Sequence, residues 1–163
     1  METLKLSLKD KDTVKKAADI LKNDGIVAIP TETVYGLAAS ACSDKAIEKV
    51  FLSKGRPQDN PLIVHISDIK MLSQVAVDIP ESAYECASRF WPGPFTMVLK
   101  KSPLIAESVS AGLDTVAVRM PASDVALSLI REAGVPVAAP SANLSGRPSP
   151  TTAMHVYDDL KGR

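Results

Sequence analysis

Hydrophobic residues along the chain follow two spacings, one typical of amphipathic helices and one typical of buried strands. The helical spacing predicts helices at residues 12–24, 43–53, 68–76, 81–90 and 123–134, with a last helix from about 151. Short apolar runs predict strands at residues 4–7, 26–29, 61–66, 95–99, 115–120 and 136–139. Because helices alternate with strands, we expect an α/β fold with helices on the faces of a sheet. Prolines bound several of the short strands, which favours a mixed sheet over an all-parallel one.

The composition is that of a folded chain and excludes a disordered polymer or a membrane protein, since 45% of the 163 residues are apolar and 23% are charged. No apolar run approaches the ~20 residues that a bilayer span needs, and residues 1–5 lack the apolar core of a signal peptide. We therefore expect one cytosolic domain over residues 1–163, with one core and no membrane partner. Cys42 and Cys86 have no CxxC spacing, which predicts two reduced, buried thiols.

The charge balance argues against a dedicated nucleic-acid binder. The chain carries 19 basic and 19 acidic side chains, and only 4% of its residues are aromatic. Neither a long-range field nor a platform for stacking bases is expected. Any contact with a nucleotide or RNA must be local.

Residues 54–65 form the segment most suggestive of a binding site. Lys54 ends a predicted helix, Gly55 can stop it, and nearby prolines stiffen the turn that carries Arg56. Two cations outside regular helix can face one phosphate group, and losing either would then reduce activity with little loss of stability. His65 follows near the end of the next strand. The alternatives are a solvated turn and a core histidine with a satisfied hydrogen bond.

Two polar segments follow buried strands, which is where ligands bind in open α/β sheets. The first, residues 31–37, contains Glu32 between two threonines. The second, residues 140–150, contains three serines, an asparagine and an arginine that could surround a phosphate or a ribose. The alternatives are threonine hydroxyls that bond to their own backbone and a plain Ser/Gly/Pro linker.

Arg119 ends a predicted strand otherwise made of threonine, valine and alanine. Burying an arginine there is costly unless it meets an anion. Exposure on an edge strand is the alternative.

Several common kinds of site are excluded by the absence of their motifs. The chain has no GxxxxGK[ST] loop, no GxGxxG after a strand, no HExxH and no GxSxG. A P-loop, a dinucleotide fingerprint and a zinc site are therefore not expected, and two histidines make a Ser-His-Asp triad a poor hypothesis.

Six segments together resemble the YrdC/TsaC family, which makes L-threonylcarbamoyladenylate from threonine, bicarbonate and ATP for threonylcarbamoyladenosine (t6A) formation in tRNA. They occur in the family's order and spacing from about residue 10 to the end, as Thr31-Glu32-Thr33-Val34-Tyr35-Gly36-Leu37, Lys54-Gly55-Arg56-Pro57, Asn60-Pro61-Leu62, Trp91-Pro92-Gly93-Pro94, Val118-Arg119 before Pro121, and Pro140-Ser141-Ala142-Asn143-Leu144-Ser145-Gly146. The resemblance implies an open, twisted mixed sheet with a concave basic cleft.

The resemblance also implies roles for particular residues. Lys54 and Arg56 would be catalytic. The ATP or adenylate side would comprise Arg56, Asn60, Thr115, Ser141, Asn143 and Ser149. The threonine side would comprise Thr33, His65, Arg119 and the backbone at Ala139. Mg²⁺ would bind the triphosphate, and its protein ligands are unknown. The product would pass to the t6A transferase machinery. Direct contact with tRNA is left open.

One departure and two alternatives accompany the resemblance. Family domains usually continue into a segment containing Gly and Ser/Thr that closes over both substrates, and nothing after Thr152 resembles it, so we expect the domain to lack it. The alternatives are a module that binds tRNA or double-stranded RNA without catalysis, and a carbamoyl-transfer domain like that of hydrogenase-maturation proteins. The proposed site requires that the turn at Lys54 and the loop at Ser141 converge.

Overall fold

The computed structural model describes residues 2–163. Its strands are β1 (Val27–Ile29), β2 (Gly36–Ser40), β3 (Ile63–His65), β4 (Thr96–Lys100), β5 (Thr115–Arg119) and β6 (Val137–Ala138). They form one sheet in the order β1-β2-β6-β3-β5-β4, in which β3 and β5 are parallel and the other neighbours are antiparallel. The predicted open mixed sheet is confirmed.

Helices cover both faces of this sheet. They are α1 (Thr13–Lys22), α2 (Asp44–Lys54), α3 (Leu72–Val75), α4 (Glu81–Phe90), α5 (Glu107–Ser110), α6 (Asp124–Ala133) and α7 (Ala153–Leu160), with a 3₁₀ turn at Ile69–Met71. Buried residues of α1 and α6 pack together on one face, and those of α2, α4, α5 and α7 belong to the core on the other. Of the helices in residues 2–163, none combines the length and apolarity that crossing a membrane requires.

Alternation along β2 explains how one strand serves both cores. Leu37 and Ala39 face the larger cluster, while Ala38 lies in the smaller one. Successive side chains of a strand point to opposite faces. The strand is therefore buried throughout, as central strands of such sheets usually are.

Helix α2 ends at Lys54. The turn that follows and carries Arg56 is called the cation turn. The Ser43 hydroxyl accepts a hydrogen bond from the Ala46 amide at its start, and Gly55 ends it with φ of 59°. A positive φ favours glycine, because a side chain there crowds the backbone. This reversal directs Arg56 away from the helix.

Three expectations from the sequence are wrong. Residues 4–7 form no strand, and Leu4 is 63% exposed. The sequence predicts no strand between residues 29 and 61, yet β2 occupies Gly36–Ser40. Neither cysteine is fully buried, since Cys42 is exposed and Cys86 is partly exposed. Cys42 follows β2 in the turn before α2, outside both cores.

Candidate functional site

A cavity of about 240 Å³ opens where β3 and β5 end. These strands are parallel and pair His65 with Arg119, so both carboxyl ends meet at one edge of the sheet. The loops after β1 and β6 close around the same point. Six of the predicted site residues line the cavity: Thr33, Arg56, His65, Arg119, Ala139 and Ser141.

Lys54 ties the cation turn to the second polar loop. Its Nζ donates hydrogen bonds to the carbonyl oxygens of Ser141 and, at 2.6 Å, Asn143. The Ser145 amide donates in return to the Lys54 carbonyl at 2.9 Å. The two segments, distant in sequence, therefore converge as the proposed site requires. Lys54 itself is 2% exposed and lies behind the cavity lining.

The charge on Lys54 is sensitive to its surroundings. Burial, reinforced by the nearby charge of Arg56, lowers the pKa of Lys54 to about 8. The charge of Asp159 acts in the opposite direction. At pH 7 the protonated form still exceeds the neutral one by about tenfold.

Arg56 presents an incompletely bonded cation to the cavity. Its Nη2 donates to the carbonyls of Asn60 and Pro61, both at 3.3 Å. Its Nε is buried and has no hydrogen-bond partner among the described residues. Although burial lowers its pKa, a guanidinium remains charged in proteins. A buried donor without an acceptor is costly, so this edge of the cavity is suited to an anion.

The anion that balances the charge of Arg119 is Glu32 of the same chain. Its Nη2 forms an ion pair with Glu32 Oε1 at 2.5 Å, its Nε donates to the Gly93 carbonyl at 3.1 Å, and its Nη1 reaches Thr33 Oγ1 at 3.5 Å. The residue is 8% exposed and lies on β5, between β3 and β4. The alternative of an exposed edge-strand arginine is therefore wrong.

Sequence reasoning did not assign a site role to Glu32. Burial raises the pKa of its carboxyl, but hydrogen bonds from Arg119 and from the backbone of Ala122 and Glu32 outweigh burial and hold the pKa below its usual value. Glu32 is thus ionised at neutral pH and compensates the charge of Arg119. Its place in a polar segment after a buried strand was the available signal.

His65 is a neutral hydrogen-bonding group in this site. It is 3% exposed, and its Nδ1 lies 3.2 Å from the Ile63 carbonyl oxygen. A carbonyl only accepts, so Nδ1 carries the proton and Nε2 is left as an acceptor. Burial, followed by the charge of Arg119, lowers the pKa of His65 to about 4.

This low pKa predicts that acid weakens the fold through His65. An unfolded histidine takes up a proton near pH 6.5, whereas folded His65 does so only near pH 4. The unfolded state binds more protons between these values, so the unfolding free energy should fall by up to ~1.4 kcal/mol per pH unit as pH drops through this window. Urea unfolding from pH 6.5 to 5 measures this slope. His65→Gln should reduce it, and exposed His155→Gln is the matched control; equal slopes in both variants would contradict the prediction.

The two threonines of the first loop have different surroundings. Thr31 Oγ1 donates to the Val34 carbonyl at 2.6 Å and accepts from the amides of Thr33 and Val34, each at 3.2 Å. For Thr31 the alternative of a hydroxyl bonded to its own backbone holds. Thr33 Oγ1 instead lies between Thr31 Oγ1, at 3.0 Å, and Arg119.

Four other predicted site residues do not line the cavity. Exposed Asn60 offers its carbonyl to Arg56, and Ser149 is exposed. Asn143 is buried, with Nδ2 donating to the Leu144 and Arg147 carbonyls and Oδ1 unpartnered. Thr115 begins β5, four strand steps or ~13 Å from the end that carries Arg119. Contacts of these four with ATP remain predictions.

The acidic groups do not form a metal centre. Residues 2–163 contain no group of three or more His, Cys, Asp or Glu side chains that could hold a metal ion.

Comparison with known proteins identifies the wider group. A model of the Sua5_yciO_yrdC family, described as Telomere recombination, matches residues 19–163. The chain is similar to threonylcarbamoyl-AMP synthases of Pyrococcus abyssi (strain GE5 / Orsay), at 52% identity over 150 residues, and Bacillus subtilis (strain 168), at 54% over 151. Each alignment covers 92% of this chain and 44% of the relative.

A solved structure gives the same result. The crystal structure of P. abyssi Sua5 complexed with L-threonine matches with a TM-score of 0.90 and 51% identity, covering 92% of this chain and 44% of that one. This chain thus spans a little under half the length of these relatives. The resemblance predicted from the six segments is confirmed, and the chain belongs to the Sua5/YciO/YrdC family.

Proposed function

We propose that this chain provides the site that makes L-threonylcarbamoyladenylate from L-threonine, bicarbonate and ATP, with release of pyrophosphate, for t6A formation in tRNA. The observation that carries the proposal is Arg56, whose guanidinium has an unpartnered Nε, in the lining of a cavity that Arg119 and neutral His65 also line. This cavity offers a donor for a phosphate and, on the same wall, groups suited to an amino acid.

The threonine side would be formed by Arg119, Thr33 and His65, with the Ala139 backbone beside them. The Arg119 fork is suited to a carboxylate, and its Nη1 already points to Thr33. The free Nε2 of His65 can accept from a hydroxyl or an amine of the substrate. Because Glu32 compensates Arg119, the substrate's carboxylate would share this guanidinium with an internal anion.

The nucleotide side would be formed by Arg56 and Ser141, with Lys54 behind them. The cavity is smaller than the ~300–1,000 Å³ of usual ligand pockets, so ATP would extend out of it along the loop that ends near Ser149. Asn60, Thr115 and Asn143 complete the proposed set. Mg²⁺ would belong to the MgATP substrate, because Mg²⁺ is usually bound by substrate phosphates with only one or two carboxylates. These cations would make the cleft basic locally in a chain of zero formal charge.

The reaction would need alignment and charge neutralisation more than proton transfer. Bicarbonate loses hydroxide to give CO₂, and the neutral threonine amine forms a bond to its carbon. The proton that nitrogen then loses combines with the hydroxide as water, which leaves the N-carboxylate. One oxygen of that carboxylate attacks the α-phosphorus of ATP, and the bond to the departing pyrophosphate breaks. Both reactants are anions, so fixed cations at Arg56 and Lys54 would stabilise the charge that develops between them. The product would pass to the t6A transferase machinery in the cytoplasm.

The direct test is pyrophosphate release by this chain with threonine, bicarbonate and ATP varied one at a time. The proposal expects release that requires all three. Release with carbamoyl phosphate in place of threonine and bicarbonate would instead identify a carbamoyl-transfer domain. Salt-sensitive RNA binding without any release would identify a binding module.

The pKa of Lys54 predicts an alkaline limit on this activity. A lysine is charged below its pKa, and that of Lys54 lies at about 8, so turnover that needs the charge should decline as pH rises through about 8. The neutral amine keeps two N–H donors, enough for both carbonyls that it holds. We therefore expect activity to fall without loss of structure, measured by pyrophosphate release and circular dichroism from pH 7 to 9.5. A flat activity profile across this range would contradict a role for the Lys54 charge.

A further inference from the structure

We propose that Asp159 on α7 is a positioning residue for the nucleotide side of the site, holding the loop whose carbonyls fix Lys54. The inference rests on the proposed function and adds to it a residue outside the cavity. It concerns how the loop is held, and no contact between Asp159 and substrate is implied.

Both carboxylate oxygens of Asp159 bind the second polar loop. Oδ2 accepts from the Leu144 amide at 3.1 Å, and Oδ1 accepts from Arg147 Nη1 at 2.7 Å. These bonds are charge-assisted and so are stronger than those between neutral groups. The Asp159 side chain is 14% exposed, whereas that of Arg147 is 59% exposed. The largely buried carboxylate of Asp159 therefore holds the loop from the side that faces the protein interior.

Hydrogen bonds within residues 143–147 hold this part of the loop in a closed turn. The Arg147 amide donates to the Leu144 carbonyl at 3.0 Å, and Asn143 Nδ2 donates to the Arg147 carbonyl at 2.8 Å. The next bond along is that of Lys54 to the Asn143 carbonyl. A displacement of Leu144 would thus move, through one peptide unit, the oxygen that holds the Lys54 ammonium.

The position of Asp159 in its helix also supports a role in holding the loop. It is the next-to-last residue of α7, Ala153–Leu160. A negative charge near a helix C-terminus is unfavourable, because the macrodipole is negative there. The hydrogen bonds from Arg147 and Leu144 nevertheless hold the pKa of Asp159 below its usual value. These contacts outside the helix therefore favour the ionised form of Asp159.

Asp158 provides a matched control. It precedes Asp159 on the same helix and is exposed. Asp158→Asn and Asp159→Asn make the same change of charge and shape. A difference between them reports the local effects of Asp159, which are its contacts with the loop and its charge near Lys54, and not a change of net charge or of helix dipole. Hydrogen exchange at Leu144 reports the contacts separately.

The experiment compares the parent chain with Asp159→Asn, Arg147→Gln and Asp158→Asn. Pyrophosphate release is measured with ATP varied at saturating threonine and with threonine varied at saturating ATP, and amide hydrogen exchange is followed at residues 144–147. We expect Asp159→Asn to raise the ATP KM about tenfold, the effect of one lost charged hydrogen bond, while the threonine KM changes less than about twofold. Arg147→Gln removes one of the two bonds at an exposed residue and should show a smaller shift in the same direction. Exchange at Leu144 should accelerate in Asp159→Asn and stay at the parent rate in Asp158→Asn.

The outcomes separate this inference from the proposed function. Equal shifts of both KM values, or a fall in kcat that only follows the folded fraction, would reduce Asp159 to a structural residue and overturn the inference. Parent-like exchange at Leu144 in Asp159→Asn would overturn it whatever the activity. No pyrophosphate release by the parent chain would refute the proposed function, and the exchange comparison would still decide whether Asp159 holds the loop.

Discussion

Replacing Lys54 with methionine is expected to lower threonine-dependent pyrophosphate release by about 10²-fold or more and also to destabilise the fold. The loss of activity would follow from removing the cation that the proposed function places behind the nucleotide side of the cavity. The loss of stability follows from the two carbonyls, of Ser141 and Asn143, that accept from Nζ. A buried polar group left without a partner costs about 1–3 kcal/mol, and methionine fills the space without supplying a donor.

Lys45→Met is the control for this change. Lys45 lies on the same helix with its side chain 73% exposed, and its ion pair with Asp24 is long, at 3.6 Å. Exposed pairs of this kind contribute about 0–1 kcal/mol. Both variants should be compared by urea unfolding and by pyrophosphate release under identical conditions. Parent-like turnover in a folded Lys54→Met protein would remove this residue from the mechanism.

The burial of Lys54 corrects what the sequence indicates. A lysine at the end of a helix, next to glycine and proline, is typical of a solvated turn, and its loss would then have little effect on stability. The structure buries it at 2% exposure because a loop almost ninety residues later covers it. Such coverage depends on the sheet order, which places β6 between β2 and β3. Local spacing contains no information about that order.

The elements that sequence reasoning predicted well are those with strong local signals. The helix expected at 123–134 occurs at Asp124–Ala133, where a serine cap and a glycine stop mark both ends. Strand β5 lies within the predicted 115–120. Strand β2 was missed because its sequence, GLAAS, has no β-branched or aromatic residue. Its burial on both faces is set by its neighbours in the sheet.

The candidate site was predicted as two segments but not as a network of contacts. Its polar loops and cations could be found because they follow strand ends, where ligands bind in such sheets. Glu32 and Arg119 are 87 residues apart, and no spacing rule pairs them. The expectation that Arg119 needs an anion was sound physically. The structure supplies one from within the protein, which changes what a mutation at this position should do.

Replacing Arg119 with alanine is expected to weaken the response to threonine far more than the response to ATP. The guanidinium lines the cavity beside Thr33 and His65, where the proposed threonine carboxylate would bind. Loss of a charged, forked contact of this kind should lower kcat/KM for threonine by about 10²-fold or more, with a smaller effect on that for ATP. Pyrophosphate release with each substrate varied in turn measures the two effects. Equal shifts would show that Arg119 does not serve the threonine side.

The same substitution should also destabilise the protein, and a second variant separates the two consequences. Removing one partner of a buried ion pair leaves the other charge uncompensated, at a cost of about 3–5 kcal/mol, and Glu32 would be that charge. The double variant Glu32→Gln with Arg119→Ala removes both charges and should recover much of the unfolding free energy, while the response to threonine stays weak. If the double variant recovered both the unfolding free energy and the response to threonine, Arg119 would act only by neutralising Glu32. We expect stability to depend on the ion pair and binding of the substrate carboxylate to depend on the guanidinium, so unfolding and kinetics of these variants together determine what Arg119 does.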